Sequence, residues 1–226
     1  MSFRCRTRGF VLKKENSGEA DQIFTLYTED LGRIKVLGRG IRKLTSKLRS
    51  GIDVFNLCEI EFVQGKNFKT LTDAFLIKKH DEKAEIFADC AEDLLKWQEK
   101  DPKVWKLYLF VLSQLTRLRT SKIEILYYFY FWNLIAIMGY KPNLFNCFGC
   151  GRNFKSETNF FSAEKNAFLC PGCSEPGNIP LSCESVKIIR LAFCGRWELL
   201  KKLSIKGKYL QELDRLAERL KLIYSA

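Results

Sequence analysis

Four of the nine cysteines fall in two pairs, Cys147-x-x-Cys150 and Cys170-x-x-Cys173, with 19 residues between the pairs. Thiols so spaced can cycle between dithiol and disulfide, carry a haem, or grip a metal ion. Haem attachment needs a histidine directly after the second cysteine, and the single histidine of the chain is at position 80. A redox dithiol is usually a lone pair in a βαβ setting, and no such setting surrounds either pair. Two balanced pairs fit the C-x2-C…C-x2-C spacing of zinc sites. Each pair, set on a tight turn, offers two thiolates to one ion, and two turns complete a tetrahedron of sulfurs about 2.3 Å from it. Cys147, Cys150, Cys170 and Cys173 are therefore the expected ligands. Zn2+ is the expected ion and iron the minor alternative. Four protein ligands leave no position for water, so the site should be structural rather than catalytic. Gly149, Gly151 and Gly172 give the backbone the freedom such turns need. The polar segment between the pairs should form a two-stranded ribbon. Cys5, Cys58, Cys90, Cys183 and Cys194 lack any partner spacing and read as small buried apolar residues.

A second run that could do chemistry is cationic. Residues 32–51, "GRIKVLGRGIRKLTSKLRSG", hold Arg33, Lys35, Arg39, Arg42, Lys43, Lys47 and Arg49 and no acid. Seven like charges repel one another and are more natural beside a polyanion than as a solvated loop, the plainer reading. The interleaved Ser and Thr can donate to phosphate oxygens. These seven are the predicted nucleic-acid contacts. Phe24, Tyr27, Phe55, Phe62 and Phe68 are available for base stacking, although their alternation places most of them in a core. No phosphate-binding GxxxxGK[ST], GxSxG or HExxH motif occurs. His80, in "KKHDEK", reads as exposed surface, and neighbouring acids such as Glu92 and Asp93 diverge on a helix. The chain is not expected to be an enzyme.

The elements that must position these residues change character near residue 80. Before it, "RGFVLKK", "QIFTLYT", "GRIKVLG", "VFNLCEIEF" and "FKTLTDAFLI" are short β-rich runs, separated by the turn signals "ENSGEAD", "EDLG", "GRG" and "QGKN". Five short strands suggest a small closed barrel, of OB or SH3-like type. After residue 80 the period becomes helical. Residues 84–98 space Phe87, Cys90, Leu94 and Leu95 along one face. Asp101 followed by Pro102 marks a capped start, and Ser121 with Glu124 forms the pattern of a capping box. The helix that follows is apolar nearly all round and should be central to its domain, stopped by Gly139 and Pro142. Tyr209, Leu213, Leu216, Leu220 and Ile223 mark an amphipathic closing helix, expected to pack on its own domain.

The 226 residues, 46% hydrophobic and 13% aromatic, can bury a core, and the net charge is +12. That surplus points to a polyanionic partner, nucleic acid or an acidic membrane face. It sits at the ends of the chain: residues 1–80 carry 16 Lys and Arg against nine acids, and residues 184–226 carry ten against five. The longest apolar run, residues 125–138, is short of the roughly 20 needed to cross a bilayer. No secretory signal is apparent, so a reducing cytoplasm is expected for the cysteines.

Taken in order, "GEADQIFTLYTEDLGRI", the basic "RGIRKLTSK", "KTLTDAFLI", "GYKPNLFNCFGCG" and "FLCPGC" resemble the RecO family of bacterial recombination mediators, along essentially the whole chain. The resemblance implies an α+β fold: an N-terminal five-stranded OB-type β-barrel over residues 1–80, then an all-helical C-terminal domain over 81–226 with an inserted four-cysteine zinc module at about 143–180. It implies binding of single- and double-stranded DNA, annealing of complementary strands, and, with RecR, help in loading RecA onto DNA coated by single-strand binding protein. The family's DNA contacts map onto Arg39, Arg42, Lys43, Lys47 and Arg49. The C-terminal tail of single-strand binding protein is a further implied partner, with Arg117, Arg119 and Lys122 as the candidate contacts. A nucleoid-associated bacterial protein is implied. The rival readings are an RNA-binding OB and zinc protein of translation or RNA metabolism, and a metalloenzyme, which would need an open ligand position.

Overall fold

The computed structural model describes residues 4–65, 68–95 and 99–224. Residues 66 and 67 of the predicted "QGKN" turn and residues 96–98 of the first predicted helix lie outside the described residues. Contacts divide the chain into two compact units, 1–118 and 119–226.

In the first unit the five predicted strands form as β1 (Arg4–Ser17), β2 (Asp21–Thr28), β3 (Gly32–Gly38), β4 (Leu57–Gln64) and β5 (Lys69–Lys78). They close a barrel in the order β1-β2-β3-β5-β4, a five-stranded OB-type arrangement. β3 and β5 run parallel, and every other pair is antiparallel. β1 serves both sides of the closure: Arg4 to Phe10 pair with β4, and Gly9 to Ser17 with β2. A register shift between Val11 and Lys13 bends the strand from one ladder toward the other. Gly9 lies where the ladders overlap, and a Cβ there would meet Leu26 and Thr28 side-chain carbons at 3.1 Å.

The barrel interior holds Val11, Phe24, Leu26, Ile34, Val36, Cys58, Ile60, Phe62 and Leu71. The period-2 pattern in the sequence is the cause, since alternate side chains face one side of a strand. At the start of β4 the ladder shifts register between Leu57 and Cys58. From Cys58 the strand faces inward at every second residue, and Leu57 is buried as well. Phe24, Tyr27 and Phe62 are core residues, whereas Phe68 is exposed.

Helices α1 (Glu85–Leu94) and α2 (Pro102–Leu115) group with the barrel. The compact unit therefore extends past the change of sequence period at residue 80. The joining contacts are specific. Tyr27 packs on Tyr108 of α2 with ring centroids 5.3 Å apart, and its hydroxyl accepts from the Asp101 amide at 3.1 Å. Asp101 caps α2 as expected, its carboxylate accepting from the Lys103 amide at 2.6 Å.

The second unit is built on α3 (Ile123–Ile137), α4 (Cys183–Phe193), the short α5 (Trp197–Leu200) and α6 (Gly207–Tyr224). α3 is buried along nearly its whole length. Its one interior amide, Asn133, is satisfied by the carbonyls of Phe129 (2.7 Å) and Ala192 (2.9 Å), the second on α4. Trp132 packs against Phe193, and Phe129 against Trp197. Gly139, at φ 91°, ends the segment, and the Tyr140 amide donates back to the Ile135 carbonyl. The capping box does not form. Ser121 lies within a 3-10 turn over Thr120–Lys122, and no side chain caps α3. α6 buries Leu213, Leu216 and Leu220 as expected, but its last step belongs to Tyr224. That ring stacks on Tyr140 at 4.2 Å, while Ile223 is exposed. No helix among the described residues is long and apolar enough to cross a membrane.

Candidate nucleic-acid interface and metal centre

The alternation of β3 that turns Ile34 and Val36 inward turns Arg33 and Lys35 outward. Outward is not the same as free. The Arg33 guanidinium donates to both carboxylate oxygens of Glu92 on α1 at 2.9 Å, with side chains only 17% and 21% exposed. Arg33 thus helps hold α1 on the barrel. Lys35 is exposed, but beside a recess also lined by Asp89, Glu92 and Asp93.

The remaining five predicted cations share the loop between β3 and β4. Ile41 and Ile52 drop into the barrel core and Leu48 packs against it, so the loop is held at three points. Its start is pinned as well: the Gly40 amide donates to the Asp21 carboxylate at 2.7 Å and the Arg42 amide to the Ala20 carbonyl at 3.0 Å. At its end Gly51 passes so close to β5 that a Cβ would lie 1.9 Å from the Ala74 carbonyl oxygen. With the apolar residues holding the backbone, Arg39, Arg42, Lys43, Lys47 and Arg49 are all exposed. Among the described residues none of the five is ion-paired with an acid. An ordered loop that displays unpaired cations can meet phosphates without first ordering itself. Lys14, at the far end of β1, joins Arg42 and Arg49 around one small pocket. Sequence reading missed it because its partners lie far along the chain; the Lys13–Lys14 doublet was the available signal.

Of the candidate contacts for a protein tail, Arg117 and Arg119 are exposed. Lys122 is engaged internally, its Nζ donating to the Leu203 carbonyl at 2.6 Å. His80 is not at the surface. It is 8% exposed, its amide donates to the buried Asn56 side chain at 3.0 Å, and burial together with nearby Lys78 lowers its pKa.

The second candidate is the cysteine cluster. A bridge between Asn146 and Asn153 folds the first pair into a knuckle, and a 3-10 turn over Pro171–Cys173 carries the second. Between them lie β6 (Asn159–Ser162) and β7 (Ala167–Leu169), the expected ribbon; β8 (Ile179–Leu181) adds a third strand. The four Sγ atoms all lie within 4.8 Å of one another, and those of Cys150 and Cys170 are 3.8 Å apart. Four sulfurs about 2.3 Å from one ion sit about 3.8 Å apart, whereas a disulfide needs about 2.05 Å. Gly149 lies against Cys173, where a Cβ would come 3.1 Å from Sγ, and Gly151 takes φ 73°. Burial pushes the Cys147 thiol up, but the amides of Cys170, Cys150 and Gly149 outweigh it and draw the thiol down to about 6. Hydrogen bonding to Cys170 and Cys150 pushes Cys173 up to about 12, so the crowded sulfurs retain a shared proton. A dication can take that proton's place, so the donor set fits a metal. Arg190 of α4 anchors the module, donating to the Leu144 carbonyl at 2.7 Å and lying over the Phe145 ring. Of the other cysteines, Cys58 and Cys90 are buried, Cys5 and Cys183 half-buried, and Cys194 exposed, contrary to expectation.

Comparison with known proteins matches residues 1–80 to the family model described as "Recombination protein O N terminal" and residues 84–220 to "Recombination protein O C terminal". The chain is similar to the DNA repair protein RecO of Dehalococcoides mccartyi, 28% identical over 92% of this chain and 86% of that protein. It is similar to that of Thermoanaerobacter sp. at 26% identity over 93% and 88%. It is also similar to that of Acetivibrio thermocellus, at 28% over 95% and 89%.

Proposed function

The chain belongs to the recombination protein O family, and from that premise we propose that it is a DNA-binding mediator of recombinational repair that anneals complementary strands without bond chemistry. The observation that carries this reading is the pinned loop with Arg39, Arg42, Lys43, Lys47 and Arg49 exposed and, among the described residues, ion-paired with no acid. Two DNA strands repel through their phosphates. A cationic surface neutralises part of that charge, and the bases can then pair. Lys35 flanks the surface, and Arg33 is left out of it because Glu92 holds it. Each neutralised phosphate releases counterions. Five engaged side chains on a single strand give a log–log salt slope of about −3 to −4.

Cys147, Cys150, Cys170 and Cys173 would hold Zn2+. The ion would supply a cross-link between the two knuckles and, with all four positions filled by sulfur, no site for a reacting water. The chain's own amides at Cys170, Cys150 and Gly149 favour the thiolate of Cys147 before any ion arrives.

RecR, the C-terminal tail of single-strand binding protein and, through them, RecA complete the proposal as partners in the bacterial cytoplasm. Arg117 and Arg119 are offered to the acidic tail. The decisive experiment is annealing of complementary oligonucleotides precoated with single-strand binding protein, without nucleotide. Annealing faster than the protein-free rate is expected, as is stronger competition by matched DNA than by RNA. No acceleration, or an absolute need for ATP, would overturn the reading. Preferential competition by RNA would move the chain to RNA metabolism.

A further inference from the structure

A small pocket of about 290 Å³ opens beside the basic loop, lined by Lys14, Gln22, Arg42, Arg49 and Asp53 over a floor of Ile41 and Ile52. Its cations come from separate segments. Lys14 lies on β1, Arg42 follows β3, and Arg49 lies in the 3-10 turn over Lys47–Ser50. Their convergence comes from the fold: the Arg42 amide is tied to Ala20 in the β1–β2 turn, and Ile41 and Ile52 are 2% and 4% exposed in the barrel core. An apolar floor strengthens charge interactions above it by holding water back.

One acid stands among these cations. The Lys14 ammonium lies 2.6 Å from Asp53 Oδ1, the same oxygen that accepts from the Val54 amide at 2.8 Å. The pair is well exposed, at 39% and 55%, so it is weak and readily exchanged. Arg42 and Arg49 pair with no acid among the described residues. Three cations and one carboxylate leave a double positive charge, which suits a phosphate, and none of the lining residues is an aromatic ring on which a base could stack.

We propose that this pocket seats a single phosphate group of a nucleic-acid strand, gripped by Lys14, Arg42 and Arg49, and that Asp53 holds Lys14 in its place until the phosphate displaces it. The seat deepens the DNA-binding reading and rests on it. Asp53 acts as a brake: it weakens capture at this one position, which shares Arg42 and Arg49 with the loop, and leaves Arg39, Lys43 and Lys47 untouched. The phosphate can be an internal phosphodiester or a terminal 5′-phosphate, and both would be held the same way.

The test is fluorescence-anisotropy titration of labelled single strands with 5′-phosphate or 5′-hydroxyl ends, over a series of salt concentrations. The proteins are the unaltered chain, D53N, K14Q and the K14Q/D53N double variant. The carboxamide introduced by D53N keeps an acceptor for the Val54 amide, and a gain in affinity cannot arise from unfolding. D53N is expected to bind a few-fold more tightly, with a salt slope steeper by about 0.7, the value for one further phosphate on a single strand. In the K14Q background most of that gain should vanish. A gain with both kinds of end identifies an internal phosphodiester; a gain confined to 5′-phosphate ends identifies the terminus. Unchanged affinity and slope in D53N, or a gain fully retained without Lys14, overturns the seat while DNA binding stands. Failure of the unaltered chain to bind DNA overturns both.

Discussion

His80 shows at the residue scale how tertiary context decides chemistry. It is buried with Nε2 lacking a partner among the described residues, and burial and Lys78 lower its pKa. A folded pKa below the unfolded value of about 6.5 means that the unfolded chain takes up the proton first. The neutral ring therefore carries no penalty above pH 6.5, and stability is lost as pH falls below it, by at most about 1.4 kcal/mol per pH unit. Urea midpoints at pH 7.5 and 5.5 should show an acid-induced loss that His80→Gln lacks; identical pH dependence in the two proteins would refute the assignment. Arg33 and Glu92 make a similar case. Glu92→Ala leaves a half-buried guanidinium without its carboxylate and should cost roughly 2 kcal/mol in urea unfolding, with DNA affinity not reduced. A stability loss near zero would show that α1 is held otherwise. Neither result could be read from the sequence. Asn56, whose side chain meets His80, lies 24 positions away, and Glu92 lies 59 positions from Arg33. The five loop cations were legible because their exposure is decided locally, by Ile41, Leu48 and Ile52 turning inward.

Elements whose signal extends along a run of residues were the most legible. All five strands lie where β-rich runs between turn signals placed them, and Asp101 caps α2 as its position before Pro102 implied. Another two-residue signal did not hold. Ser121 and Glu124 have capping-box spacing, but the 3-10 turn over Thr120–Lys122 takes the serine into the turn itself. A cap that was not foreseen carries more of the second unit. The Ser182 hydroxyl accepts from the Ser185 amide at 3.3 Å and donates to Glu212 at 2.7 Å, and Glu212 also accepts from Ser185 Oγ at 2.7 Å. Burial pushes the Glu212 carboxyl up, and the hydroxyls of Ser185 and Ser182 outweigh it, leaving the carboxyl below its ordinary value. Ser182→Ala should cost about 1 to 2 kcal/mol, read from the thermal midpoint. An unchanged midpoint would place the stability of α4 elsewhere. The cysteine knuckles were legible because four cysteines at fixed spacing leave few alternatives. Cys147→Ser should lower bound zinc and the thermal midpoint together, with a much smaller effect on DNA affinity of the protein that remains folded. Clean loss of DNA binding in a stable, zinc-loaded variant would contradict a structural role.

Charge belongs to the whole molecule. The surplus of +12 is uneven along the chain, and the part proposed to meet DNA is concentrated on one loop of the first unit. Reversing Arg39, Lys43 and Lys47 to Glu should reduce single-strand affinity severely and flatten the salt slope by about 2, while the far-ultraviolet circular dichroism stays unaltered. Full affinity in such a folded variant would remove the loop from the interface. The division at Leu118 was hidden because α1 and α2 look helical in sequence yet join the barrel through Glu92 and Tyr108. The double pairing of β1 also bears on biosynthesis. The strand made first needs one made much later, since Arg4 pairs with Val63 and the parallel edge of β3 must await Lys69. A nascent chain can form the β1–β2–β3 meander early but stays an open sheet with two unsatisfied margins until the last strand leaves the ribosome. Barrel closure is thus the slow, long-range step of maturation, and ribosome-stalled chains ending before residue 69 should be open to proteases that the complete barrel resists.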